Sequence, residues 1–165
     1  MSQIQVTLPD DTIQDHPSGV TGLDLAMGIS EGLARVALAI EVNGVVQDLH
    51  LPIDDNAKIR ILTFRDEEGV EIFRHSSAHL LAQAVVALFP DAKPTIGPVV
   101  EQGFYYDFCH PPFTEADLAK IEQKMKELAK QKLRFQRHEV DSAEAKRIFS
   151  DNPFKLELID GFEEG

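Results

Sequence analysis

An α+β chain in two blocks is what this sequence predicts, and three observations carry the prediction. Residues 1–65 alternate strand-like runs around Asn43-Gly44, the strongest short hairpin signal in the chain. Residues 71–88 read as one helix, with Leu80, Leu81, Ala84, Val85 and Leu88 recurring at helical spacing. Residues 114–132 read as a second, capped helix with an apolar stripe. At 165 residues the chain has room for one ordinary domain or two small ones.

The first block can be justified element by element. Residues 3–8 alternate, with Ile4, Val6 and Leu8 on one side, as a strand does. Pro9-Asp10-Asp11 is turn chemistry, and residues 12–15 return as a short second strand. Leu23, Ala26 and Met27 give residues 20–27 helical spacing, which Gly28 stops, and residues 30–34 add a further turn. Residues 36–42 and 45–51 form strands on either side of Asn43-Gly44, and residues 58–64 close the set after the Asp54-Asp55-Asn56 turn. Hairpin, helix, hairpin and strand in this order is a β-grasp arrangement, as in ubiquitin-like domains. The two aspartate pairs read as turns, and His16 and His50 as isolated surface histidines. With no nucleophile and base brought together, this block reads as a binding or docking module.

A charged joint at residues 66–70 leads into the second block, residues 71–165. Pro90 and Pro94 stop the helix of residues 71–88. Residues 102–108 (Gln-Gly-Phe-Tyr-Tyr-Asp-Phe) are aromatic and bracketed by glycine, which predicts a buried strand or hairpin. Cys109-His110 precedes two prolines and reads as loop. In the helix of residues 114–132, Thr114 and Asp117 make a capping box and Phe113 with Leu118 a hydrophobic staple. Leu118, Ile121, Met125 and Leu128 form its stripe. Residues 133–140 are expected as a strand, Asp141 with Glu144 opens a short helix ending near Ser150, and residues 154–159 alternate as a last strand.

Composition narrows the function. Acidic residues outnumber basic ones by 28 to 16, for a net charge of −12. Such a surface repels phosphate backbones, so a free-standing nucleic-acid binder, and a DNA binder above all, is disfavoured. An RNA contact would have to be local or supplied by another part of a larger protein. The single cysteine, Cys109, excludes an internal disulfide. No apolar run approaches the ~20 residues of a membrane span, and the N-terminus lacks the pattern of a signal peptide. A cytoplasmic, reducing compartment is the expectation.

Chemistry concentrates in Arg74-His75-Ser76-Ser77-Ala78-His79. Four residues apart on a helix, His75 and His79 project from one side, beside the apolar face. Two imidazoles so placed can share a metal, line a cleft as proton carriers and hydrogen-bond donors, or simply be structural. A zinc-protease helix needs Glu directly after the first His, and Ser76 stands there.

Val6-Thr7-Leu8-Pro9-Asp10 through Ile59-Arg60-Ile61-Leu62-Thr63 resembles a TGS domain. Arg74-His75-Ser76-Ser77-Ala78-His79-Leu80-Leu81, followed by Ile96-Gly97-Pro98 and Gly103-Phe104-Tyr105-Tyr106-Asp107, resembles the editing domain of bacterial threonyl-tRNA synthetases. The order of the two blocks matches as well. That family attaches threonine to its tRNA and hydrolyses serine wrongly attached to it. The resemblance implies His75 and His79 as editing residues, with Tyr106 and Lys155 (in Phe154-Lys155-Leu156) lining the pocket. It also implies threonine-specific tRNA as partner, and ATP, magnesium and zinc in a catalytic core whose motifs are absent here. The family's Cys-x-x-x-His motif is absent too, and Cys109-His110 lacks its spacing. The chain is therefore expected to be an N-terminal fragment with an incomplete editing domain, inactive alone and monomeric, from a homodimeric parent. No metal or other cofactor is expected in the fragment itself. A non-enzymatic adaptor docking on RNA or the ribosome is the alternative, and a zinc hydrolase resembling alanine-specific editing proteins a third.

Overall fold

The computed structural model of the chain describes residues 2–162. The chain divides into two compact units, residues 1–73 and 74–165. The first unit comprises β1 Gln3–Thr7, β2 Ile13–Pro17, β3 Val20–Thr21, α1 Gly22–Ile29, α2 Glu31–Val36, β4 Ala39–Val42, β5 Val45–Gln47, β6 Pro52–Ile53 and β7 Ala57–Leu62. Helix α3, Glu67–Leu88, begins in this unit and continues in the second. There follow β8 Lys93–Pro94, β9 Val99–Val100, β10 Gly103–Phe104, β11 Phe108–Cys109, α4 Glu115–Lys130, α5 Ser142–Ile148 and α6 Pro153–Asp160.

The first unit is the expected β-grasp. Its sheet runs β2-β1-β7-β4-β5, with β1 and β7 parallel and their neighbours antiparallel. The alternation in β1 turns Ile4 and Val6 inward, where they join Leu25, Ile40, Leu49, Ile53, Ala57 and Ile59 in one core. Gly22 lets α1 approach the sheet: a Cβ there would already stand 3.0 Å from three atoms of Ile40. Asn43 and Gly44 both take positive φ (51° and 83°), as a two-residue hairpin turn requires. Asp10 behaves as a turn residue, its carboxylate accepting from the Thr12 N–H at 3.0 Å. His16 and His50 bond locally, to Gln14 and Asp48.

Some boundaries move. The Ser30 hydroxyl accepts from the Leu33 N–H and extends the expected extra turn into α2, so the strand starts at Ala39 instead of residue 36. The strand after the hairpin ends at Gln47, and Leu49 turns into the core. At the other end of the sheet, β2 runs on to Pro17, which an edge strand tolerates. Helix α3 starts at Glu67, four residues before the apolar pattern predicts, so residues 67–70 of the expected joint are helical. Its start is secured by Asp66, whose carboxylate accepts from the Thr63 N–H at 2.8 Å. Arg60 reaches Glu41, Asp66 and Glu68 at 2.8–3.0 Å. The hydrogen bonds that it donates to Glu41 and Glu68 hold its guanidinium even more firmly charged than usual.

The second unit packs α3 against α4. Ala84, Val85, Ala92, Ile121 and Leu128 form its core, with Leu80, Leu81, Leu88, Phe89, Phe108, Phe113 and Met125 around them. The capping box of Thr114 and Asp117 is formed. Leu118, however, is 56% exposed and lies off the buried stripe; Phe113 instead stacks on His110, with ring centroids 4.6 Å apart. The aromatic run of residues 102–108 takes the hairpin form of the expectation: β10 and β11 pair antiparallel with β9 and β8, and Tyr105 is left half exposed. Cys109, read as loop, ends β11.

Two expected strands are absent. Residues 133–140 are exposed and take up neither helix nor strand: their alternation meets no pairing strand among the described residues. Residues 154–159 are helical within α6. Asn152 accepts from the Phe154 and Lys155 N–H groups and Pro153 occupies the first turn, a start signal that overrides the two-residue alternation.

Candidate active site

Helix α3 carries the first two candidate residues. His75 and His79 lie one turn apart, and their Nε2 atoms approach to 3.1 Å with the rings nearly perpendicular (86°, centroids 4.7 Å). At that distance one imidazole donates an N–H and the other accepts it, so the pair cannot hold both rings protonated without losing the bond. Both side chains reach solvent. Desolvation is the largest influence on His79 and lowers its pKa; the charges of His75 and Lys155 push it the same way. His79 therefore stands as a neutral imidazole at neutral pH, able to accept a proton.

Tyr106 comes from the ribbon formed by residues 94–98 and 105–108. Thr95 N–H donates to the Asp107 carbonyl (3.0 Å), and Asp107 N–H donates to the Ile96 carbonyl (2.9 Å). The Tyr106 ring stacks on Phe108 at 4.9 Å, and burial raises the pKa of its phenol. Gly97 makes the ring's position possible: a Cβ there would fall 2.2 Å from Tyr106 Cδ2 and 2.9 Å from Cγ. Gly97→Ala is expected to destabilise the second unit by about 1–3 kcal/mol, because the ring must leave its stack. In a Tyr106→Ala background the same change should add less than about 0.5 kcal/mol, since the clash is gone. Urea denaturation of the four variants measures this cycle.

Lys155 lies in the first turn of α6. Its Nζ donates to the Thr95 carbonyl at 2.9 Å, and Asn152 Nδ2 donates to the neighbouring Pro94 carbonyl at 3.0 Å. One helix start thus grips the ribbon that carries Tyr106, while the Lys155 ammonium keeps two further N–H donors. Arg74, one residue before His75, donates to the Glu101 carbonyl at 2.8 Å and ties the loop after β9 to α3.

His75 and His79 are therefore in contact, Lys155 acts on His79 through its charge, and Lys155 and Tyr106 meet the same ribbon. Sequence reading placed Arg74 in the histidine stretch without giving it a role, and took Asn152 with Pro153 as a turn. Asn152 had a signal: Asn before Pro is as good a helix start as it is a turn. Among the described residues no three of His, Cys, Asp and Glu converge as a metal site. His79 can accept a proton and lies within reach of the Lys155 charge, while Tyr106 belongs to the ribbon that Lys155 holds.

Residues 4–63 match the sequence model of the TGS domain family. Over 161 residues, 98% of the chain, it is 49% identical to a threonine–tRNA ligase of Desulforapulum autotrophicum, covering 25% of that protein. It is 48% identical over 162 residues to the threonine–tRNA ligase of Desulfatibacillum aliphaticivorans, and 49% identical over 163 residues to that of Geobacter sp. strain M21, covering 26% of each. The chain spans about a quarter of the length of these curated relatives. It thus carries a TGS domain at residues 4–63 and, along nearly its whole length, is similar to the N-terminal region of bacterial threonine–tRNA ligases.

Proposed function

We propose that this chain is the proofreading arm of a threonine–tRNA ligase, in which the histidine pair on α3 helps hydrolyse serine wrongly esterified to threonine-specific tRNA. Proofreading answers a physical need. A synthetic site that holds threonine's hydroxyl also accepts serine, because one methyl is worth only ~1–3 kcal/mol. A second site must cut the wrong ester.

The residues present suit such a site in part. Neutral His79 takes a proton from a water attacking the ester carbonyl, and His75 orients the ring through the 3.1 Å bond. The carbonyl carbon's bond to the ribose oxygen then breaks, and that oxygen takes the proton held on His79 as it leaves. Lys155 offers N–H donors to a ribose or carbonyl oxygen. The braced Tyr106 ring forms a wall against which serine and threonine differ by one methyl. The Cys-x-x-x-His segment implied by the family resemblance would supply the remaining polar groups; it is not among these residues. Among the described residues no three of His, Cys, Asp and Glu converge to hold a metal ion, and no step of ester cleavage is assigned to the ATP, magnesium or zinc of the family's synthetic core.

The observation that carries this reading is the hydrogen-bonded histidine pair, with His79 biased to its neutral form, in a chain nearly half identical to threonine–tRNA ligases. Deacylation of serine- and threonine-charged threonine tRNA tests it, using this chain and a version extended through the Cys-x-x-x-His segment. Serine-selective release by the extended version, with little by this chain, supports a site completed outside these residues. No release by either, with both folded, replaces the proposal with a non-enzymatic adaptor.

A further inference from the structure

Among the described residues one polar side chain is buried: Asn152, 6% exposed. Both ends of its amide are engaged. The Oδ1 accepts from the Phe154 and Lys155 N–H groups at 3.1 and 3.3 Å, and the Nδ2 donates to the Pro94 carbonyl at 3.0 Å. The partners fix which end is which, because backbone N–H groups only donate and a carbonyl only accepts. The two ends serve different purposes. Starting a helix needs the oxygen alone, and aspartate or serine serves about as well there. Only the nitrogen end calls for asparagine, and it reaches a residue 58 positions away.

We infer that Asn152 is a positioning residue for serine discrimination, its Nδ2 holding in place the ribbon on which Tyr106 faces the amino acid. The inference rests on the proofreading reading and extends it to a residue that acts through Tyr106 and Lys155. The ribbon does not fix its own place: β8 and β11 are two residues each, and a two-stranded ribbon is at best marginally stable alone. Its outside holds fall on consecutive carbonyls, Asn152 on Pro94 and Lys155 on Thr95. Lys93 adds a 3.4 Å pair with the exposed Asp151, a contact of little strength. A Lys155 ammonium that turns toward a substrate oxygen loosens its own hold, and the buried Asn152 bond is the one that stays. Gly97, two residues beyond Thr95, lies against the Tyr106 ring, so a shift of this strand moves the wall. A misplacement of about 1 Å is enough to cost about 10²-fold in rate.

Asn152→Asp separates the two ends: it keeps an oxygen for the helix start but turns a second oxygen on the Pro94 carbonyl. In the protein extended through the Cys-x-x-x-His segment, it is expected to slow serine release about 10- to 100-fold. The ratio of serine to threonine release should fall about fivefold or more, out of the 10- to 200-fold that one methyl can supply. Asn152→Ser, whose hydroxyl starts the helix but is too short to reach Pro94, should do the same. Lys146→Ala removes an ion pair between α5 and α6 and should leave the ratio unchanged. Partial unfolding lowers both releases in proportion, so the ratio separates it from misplacement. Hydrogen exchange of the present chain gives a second readout. In Asn152→Asp the Thr95 and Asp107 amides, which bond across the ribbon, should exchange faster, while the Leu156 amide of α6 stays protected. An unchanged ratio or unchanged exchange at Thr95 and Asp107, with serine release lost on His79→Ala, overturns the role of Asn152 and leaves the proofreading reading standing. Release unaffected by His79→Ala overturns that reading and this role with it.

Discussion

Replacing His79 with alanine in the extended protein is expected to slow serine release from threonine tRNA by about 10²- to 10⁴-fold, the range typical of a lost general acid–base group. His79 is the ring that burial, His75 and Lys155 together keep neutral, so its removal takes away the proton acceptor itself. His75→Ala should cost nearly as much, because the 3.1 Å bond that orients His79 is lost. The double variant should be little worse than either single one, as expected of two side chains acting as a unit. Single-turnover release of labelled serine measures all three. Both rings reach solvent, so stability should change by no more than about 0.5 kcal/mol. An unchanged rate in His79→Ala would make the pair structural.

Gly69→Ala is expected to destabilise the first unit by about 3 kcal/mol or more, against the usual rule for helices. Within a helix, alanine normally improves on glycine by about 1 kcal/mol. Here the added Cβ would lie 2.2 Å from the Thr63 carbonyl oxygen and 3.0 Å from its carbon. That carbonyl cannot swing aside: it accepts from the Asp66 N–H at 3.1 Å, while the Thr63 N–H is held by the Asp66 carboxylate. Relief would require drawing the start of α3 away from the end of β7. That movement would break the Asp66 bonds and two of Arg60's three ion pairs. Mechanisms of this kind populate the tail of large mutational effects. Chemical denaturation of wild type and variant measures the difference. A gain in stability near 1 kcal/mol would mean that the close approach to Thr63 does not exist.

What the sequence made legible divides along physical lines. Elements specified by their own residues were readable: the Asn43-Gly44 hairpin, the Thr114–Asp117 capping box, the alternation of Ile4 and Val6, and the apolar face of α3. Elements decided by a competing signal were misread. Residues 154–159 alternate like a strand, but Asn152 and Pro153 start a helix there. Residues 133–140 alternate as well, yet a strand exists only where another chain segment completes its hydrogen bonds. Of the site, the histidine spacing was legible because i and i+4 share a helix face. The hold of Lys155 on the Thr95 carbonyl was not, since it joins residues 60 positions apart. The fit of Tyr106 over Gly97 likewise depends on a ribbon whose pairing no local pattern specifies.

The central claim is that a neutral His79 promotes hydrolysis of a seryl ester on threonine tRNA. Its most direct test is the release of serine and of threonine by the extended protein, followed from pH 5 to pH 8. With the pKa of His79 held below the ordinary imidazole value of about 6.5, release should be selective for serine. The rate should rise as His79 loses its proton, with a midpoint below that ordinary value, and then level off. Equal release of the two amino acids, at a rate that keeps climbing with hydroxide, would contradict the account.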